Sequence, residues 1–343
     1  MRLAIVGLFG LFLAGCGPDF DPPSELHTLR VLGVQKDVPY AQPGDTVNLQ
    51  MLWEDASVDV LSGATTRKVQ VTWSAPCIDP EGDLYYLCFK DSSLFSGGIT
   101  TGDTTSVPIP EKIISMRTQP SQARNAPYGI AYVFFAVCAG TLVPLQGADA
   151  TSFPVGCKDD KGNLLGSDDF VAGYTSVYSF ASFSNKNPVI SGFSFNGKPL
   201  DPTRFCVDDA CRALAGSAVP PPTVTCDPAD PLCLPTCAAD GDKSCPGYSV
   251  KPTLVQADNQ ELDSVSAQLV GRDVTEQMWI NYYTDGGSFK SPVRLLNDAT
   301  AGWNDSYDAE FYAPKATGPS RIWAVVHDNR GGAAWAGITV NLQ

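Results

Sequence analysis

The sequence predicts an all-β chain built as two β-sandwich domains. Three observations predict it. Apolar and polar residues alternate with period two in several short segments, the mark of half-buried strands. Glycine and proline are frequent, 31 and 27 among 343 residues, and punctuate those segments as turns. Helical periodicity is scarce. The length suits about two domains of roughly 150 residues each.

The first sandwich is read over 26–184. Leu26 to Val34 opens it, and Ala41-Gln42-Pro43-Gly44-Asp45 is a turn. Thr46 to Trp53 then alternates, with Val47, Leu49, Met51 and Trp53 on one face. Val69, Val71 and Trp73 repeat the pattern, and Ile99 to Ile109 is a weaker strand. Tyr128 to Ala139 is apolar on both faces, which suits a central strand covered on both sides, and is too short for a membrane span. Tyr174 to Phe183 closes the domain. This order resembles an immunoglobulin-like or fibronectin-like sandwich, although the antibody-type Cys–Trp–Cys spacing is absent and the cysteines sit at strand ends.

Asn185-Lys186-Asn187-Pro188 reads as a linker, and the second sandwich as 185–343. Val189 to Phe195 is its opening strand. Residues 200–248 then hold six cysteines, many prolines and almost no periodicity, so they are read as a disulfide-stapled loop inserted between early strands. Val265 to Leu269, Gln277 to Thr284 and Tyr307 to Tyr312 read as strands. Arg321 to His327 and Ala333 to Leu342 flank Asp328-Asn329-Arg330-Gly331-Gly332 as a β-hairpin.

The N-terminus carries an address. Met1-Arg2 is followed by the apolar run Leu3 to Leu13 and by Leu13-Ala14-Gly15-Cys16. A short positive region, a short apolar core and small residues before a cleavage point describe a secretory signal peptide, here 1–15. Leu-Ala-Gly-Cys resembles the lipobox of bacterial lipoproteins. The resemblance implies diacylglycerol on the Cys16 sulfur, cleavage before Cys16 and acylation of the new amino group. Several acyl chains, at about 0.8 kcal/mol per buried CH₂, anchor durably. Residues 16–25 would form a lipidated tether. Gly17 follows the cysteine and the nearest aspartate is Asp19, which in that family leans toward the outer membrane. The whole resembles exported lipoproteins with immunoglobulin-like domains, a class with no shared activity.

Cysteine arithmetic supports export. Of 11 cysteines, Cys16 is assigned to lipid, and an even set remains: Cys77, Cys88, Cys138, Cys157, Cys206, Cys211, Cys226, Cys233, Cys237 and Cys245. Sequence neighbours suggest Cys77–Cys88, Cys138–Cys157 and Cys206–Cys211. The last four pair among themselves in any of three ways. Zinc would call for a Cys-x-x-Cys knuckle, and the sequence has none.

Charge excludes some partners. Acidic residues number 37 against 23 basic, a formal net charge of −14, which repels nucleic acid. The search for catalysis is negative. His27 and His327 lie in different domains, and each reads as a surface or pairing residue. Gly192-Phe193-Ser194-Phe195-Asn196 misses the last glycine of a nucleophile elbow, and no phosphate loop, dinucleotide fingerprint or His-Glu-x-x-His occurs. No cofactor is expected. Asp159, Asp160, Asn163, Asp168 and Asp169 crowd one loop, and Asp240 and Asp242 flank Gly241 in another. These are candidate calcium ligands without a known spacing, and the same residue types are ordinary turn formers. Trp303, in a loop, is a candidate for stacking on a sugar or anchoring a partner, against the plainer expectation that it folds back as a lid.

The leading expectation is a non-enzymatic binding or assembly lipoprotein of the cell envelope, held by lipid on Cys16, with the stapled loop as recognition surface. Its rivals are a polysaccharide-binding or hydrolysing surface protein and a purely structural periplasmic lipoprotein.

Overall fold

The computed structural model describes residues 22–61, 67–90, 98–121, 126–145, 154–213, 226–227, 229–239 and 244–343. Cys16, Asp240 and Asp242 lie outside them. The chain is all-β. In the N-terminal half the strands are β1 (Leu29–Lys36), β2 (Tyr40–Ala41), β3 (Thr46–Asp55), β4 (Gln70–Ser74), β5 (Cys77–Ile78), β6 (Ile99–Thr101), β7 (Thr104–Pro108), β8 (Tyr128–Cys138), β9 (Thr141–Pro144), β10 (Val155–Lys158) and β11 (Phe170–Phe180). They form a sheet β1-β3-β7, a sheet β2-β11-β8-β4-β6 with β5 beside β8, and the hairpin β9-β10. Val47, Leu49 and Val107 of the first sheet meet Val71, Trp73, Val133 and Phe135 of the second in one core.

In the C-terminal half the strands are β12 (Ile190–Phe195), β13 (Lys198–Pro199), β14 (Phe205–Val207), β15 (Cys233–Leu234), β16 (Gly247–Leu254), β17 (Met278–Thr284), β18 (Ser288–Lys290), β19 (Val293–Asp298), β20 (Gly302–Trp303), β21 (Ala309–Tyr312), β22 (Gly318–Asp328) and β23 (Ala333–Leu342). They form β13-β12-β16-β21-β18 and β14-β23-β22-β17-β19-β20, with β15 parallel to β23. Phe193, Phe195, Val250 and Phe311 meet Ile280, Tyr282, Ile322 and Ile338 in a second core.

Two expectations change. Ile99 to Ile109 is not one strand. Gly102 takes φ +114°, which an L side chain resists, and the chain turns there. As a result β6 pairs with β4 in one sheet and β7 with β3 in the other. Val265 to Leu269 is not a strand but lies in a helix, Ser264–Val270. The Asp263 side chain accepts from Ser266 N–H as an N-cap, and Gly271 closes the helix in the left-handed region. Local capping outweighs the two β-branched residues within it, Val265 and Val270.

The stapled segment is also more than a loop. Its described residues supply β14 on one edge of β23 and β15 beside the end of the same strand. Leu232, Leu234 and Cys237 are buried in the second core. The disulfides are Cys77–Cys88, Cys138–Cys157, Cys206–Cys211, Cys226–Cys233 and Cys237–Cys245.

A third apolar cluster joins the halves. Leu26, Leu32, Leu52 and Ala56 pack against Cys211, Trp323, Val325 and Trp335. Alternation explains it: Ile322, Ala324 and Val326 of β22 point into the second core, so Trp323 and Val325 point out onto the other half. A Cβ at Gly337 would collide with the Trp323 ring, so only glycine lets that ring lie flat on β23. Buried charges line the same seam. Arg321 donates to Asp285 at 2.6 Å and lies 2.8 Å from Glu54. Lys36 Nζ donates to Gly331 O at 2.7 Å. Asn187 of the expected linker donates to Lys36 O at 2.5 Å and accepts from Ala333 N–H at 3.1 Å, so it is a fastened segment.

Residues read as the end of the tether are fastened too. Thr284 N–H donates to Ser24 O at 2.9 Å and Leu26 N–H to Thr284 O at 2.8 Å. Ser24 and Leu26 are buried. The chain therefore joins the body at the far end of β17, on the seam.

Candidate binding cleft

Among the described residues, the site residues expected from sequence do not converge. Asp159 spends its carboxylate on its own turn, accepting from Lys161 N–H at 2.9 Å, Asn163 N–H at 2.8 Å and the Asn163 amide at 2.9 Å. Those donors hold its pKa below the usual carboxylate value. Asp160 and Asp168 are exposed, and Asp169 pairs with Arg67. Among the described residues no group of three or more acidic, histidine or cysteine side chains is arranged to hold a metal. Trp303 is half-buried against the second core, donates to Asp305 at 3.0 Å and meets Tyr307 edge-on at 6.4 Å. His327 stacks on Trp279 at 5.4 Å, and burial lowers its pKa to about 4. His27 lies 3.7 Å from Glu25, in the other half of the chain from His327.

A different feature emerges on the outer face of β8 and β11. Residues 128, 130, 132 and 134 of β8, and 174, 176, 178 and 180 of β11, share that face by the period of two. Most are aromatic: Tyr128, Tyr132, Phe134, Tyr174, Tyr178 and Phe180. Part of the face is roofed by a strap from Cys77 to Lys90, closed by the Cys77–Cys88 disulfide. Within the strap Asp79, Gly82 and Asp83 all have positive φ, of 44°, 64° and 59°. Two aspartates in that region store backbone strain, and the surroundings over-determine it. Ile130 N–H donates to Asp79 at 2.7 Å and the Tyr132 hydroxyl to Asp83 O at 2.9 Å. Arg117 bridges the Asp79 and Asp83 carboxylates, and the Tyr128 hydroxyl donates to Asp83 at 2.5 Å. Burial raises the Asp79 pKa against these bonds.

Beyond the strap the face stays open as one wall of a cleft between the halves, about 730 Å³ in volume. Tyr40, Asp83, Tyr128, Ser176, Tyr178 and Phe180 form this wall. Facing them are Trp279 of β17, Val265 and Leu269 of the short helix, and Asp328 to Gly331 of the β22–β23 turn. Clefts of this size between packed units, rich in aromatic rings and with a few polar groups, are the usual form of a ligand site. The helical capping that displaced the expected strand is what aims Val265 and Leu269 into it.

The turn is rigid. Asp328 accepts from Arg330 N–H at 2.8 Å, Gly332 N–H at 2.7 Å and Asn185 at 3.0 Å. Arg330 reaches back, donating to Glu276 at 2.6 Å and Glu261 at 2.8 Å, with its guanidinium 6.0 Å from the Tyr40 ring. Burial pushes the Glu276 pKa up to about 7, with Arg330 opposing it. Sequence reasoning missed this site because its walls come from segments far apart along the chain, such as Phe180 on one and Trp279 on the other. One signal was present: tyrosines at 128 and 132, and at 174 and 178, recur four apart within strands, which puts them on one face.

No family model and no curated protein matches the chain.

Proposed function

We propose that the chain is a lipid-anchored binding protein of the bacterial cell envelope, acylated at Cys16 and carrying its ligand in the cleft between its two halves. One observation carries the anchor. Ten cysteines pair in five disulfides, and the one left over stands in Leu13-Ala14-Gly15-Cys16. Disulfides belong to an oxidising compartment, and a lipobox is an export signal, so the two readings reinforce each other. Gly17 after the cysteine favours the outer membrane.

Strand order supports the immunoglobulin-like reading. Sheets β1-β3-β7 and β11-β8-β4-β6 recur in the second half as β12-β16-β21 and β23-β22-β17-β19. The anchor also suits a binder. Residues 17–22 span at most about 20 Å, so the body would sit against the membrane at its seam. Trp279 lies five residues along β17 from Thr284, the residue to which Ser24 and Leu26 bond. That separation is about 17 Å, at the end of the strand remote from the anchor. The cleft would then open away from the lipid.

Metabolic labelling with an alkyne-bearing palmitate tests the anchor. Wild-type protein is expected to carry label and to float with outer-membrane vesicles. Cys16→Ser is expected to lose both. Label retained by Cys16→Ser would overturn the reading.

A further inference from the structure

We infer that the cleft takes a neutral oligosaccharide, an assignment that rests on the cleft being the ligand site and goes beyond it in naming what binds. The argument is one of elimination followed by fit. Every charged group among the described residues of the wall is already committed. Asp83 is held by Arg117 and the Tyr128 hydroxyl. Asp328 already accepts from two backbone N–H groups and Asn185. Arg330 is spent on Glu276 and Glu261. Asn329 donates to Asp263 at 3.2 Å and accepts from Gln277 N–H at 2.8 Å. Among the described residues an anionic ligand finds no uncompensated cation here. A cationic one finds the faces of Tyr128 and Tyr40 in use, since Arg117 lies 4.4 Å from the Tyr128 ring centre and Arg330 lies 6.0 Å from that of Tyr40. Displacing either arginine would leave carboxylates buried without a partner.

What the cleft leaves available is neutral. Tyr40, Ser176 and Tyr178 line it, and their hydroxyls make no hydrogen bond with the described residues. Half-buried rings of Tyr178 and Trp279 stand beside them, and Tyr178 and Phe180 lie nearly parallel, 19° apart. A sugar presents both complementary surfaces: a C–H face that packs on an aromatic ring and hydroxyls that both donate and accept. An apolar peptide side chain would use the rings and leave the three hydroxyls dry, which costs affinity. Rigidity of the walls, through the disulfide-closed strap and the Asp328-capped turn, lowers the ordering cost of binding.

The test uses the full lipidated chain in a detergent without a sugar headgroup. Chitohexaose, cellohexaose and maltohexaose are titrated by calorimetry, with an array of neutral, acidic and basic glycans alongside. The expected result is saturable binding of at least one neutral oligosaccharide. Tyr178→Ala and Trp279→Ala are each expected to weaken it about tenfold, the worth of one lost ring contact. Tyr178→Phe keeps the ring and is expected to lose a smaller, separable part. Trp303→Ala is expected to bind as wild type does. Unchanged thermal unfolding of each variant secures the comparison. Absence of any neutral ligand up to millimolar concentration overturns the inference, as does binding that both ring variants leave intact. Binding confined to charged glycans or to peptides overturns the ligand class alone and leaves the cleft as the site. Palmitate labelling at Cys16 is decided separately.

Discussion

Arg330 and Glu54 show how single residues set the chemistry of the seam. Arg330 is buried between Glu276 and Glu261 and cannot be replaced by an apolar side chain without leaving charge unpaired. Arg330→Met is expected to cost about 3–5 kcal/mol in denaturant unfolding. The loss should be larger at pH 8 than at pH 5, because without its arginine Glu276 is protonated at the lower pH and its burial is then tolerated. Glu54 is fully buried near Arg321, Asp285 and Asp55, and burial pushes its pKa up to about 8. A carboxyl whose folded pKa is raised favours folding at low pH. Stability should therefore fall as pH rises from about 4.5, the value in the unfolded chain, through 8. Lys36, lowered to about 8 by burial, acts the other way, favouring folding above its ordinary value of 10.5 and losing that contribution as pH falls through 8. Glu54→Gln should flatten the decline in melting temperature between pH 5 and pH 8, and an unchanged slope would contradict the assignment. None of this was legible in the sequence. Nothing at Arg330 or Glu54 points to a partner that is 54 or 267 positions away. The turn at Asp328 to Gly332 was legible, since its asparagine and glycines are local turn formers.

At the scale of elements, long strands were readable and short ones were not. Tyr128 to Ala139 is apolar on both faces, and β8 is covered on both, by the first core and by the strap. β14 and β15 have three and two residues, too few for any alternation to register. Their segment looked like a recognition loop because cysteine and proline dominated it. Its leucines instead close the open edge of the second core. Leu234→Ala is expected to cost about 2–5 kcal/mol, read as a lower unfolding midpoint. An unchanged midpoint would restore the segment as a free loop. Deleting 203–247 would remove β14 and β15 together, so loss of binding in that deletion reports on folding. The three disulfides between near neighbours in sequence were legible, because short separations close small loops. The last four cysteines left three pairings open, and they too pair with near neighbours, Cys226–Cys233 and Cys237–Cys245, 7 and 8 residues apart.

Taken as a whole, the molecule is two sandwiches joined by a third core. Trp323, Trp335, Leu32 and Leu52 sit where two independent domains would meet water. Coupling through such a seam predicts one cooperative unfolding transition for both halves. Trp335→Ala should lower it by about 3–5 kcal/mol or split it in two. The period of two reveals which residues leave a core, but not that another half receives them, and so the seam and the cleft beside it stayed hidden. The cleft exists only while the seam holds, since Tyr178 and Trp279 belong to different halves. Its role is tested most directly by crosslinking in intact cells, with a diazirine-bearing residue placed at Leu269 in the cleft, at Trp303, or at Asp230 in the cysteine-rich segment. The cleft assignment predicts a ligand adduct from position 269 and none from 303 or 230. Adducts from 230 or 303 with none from 269 would contradict it.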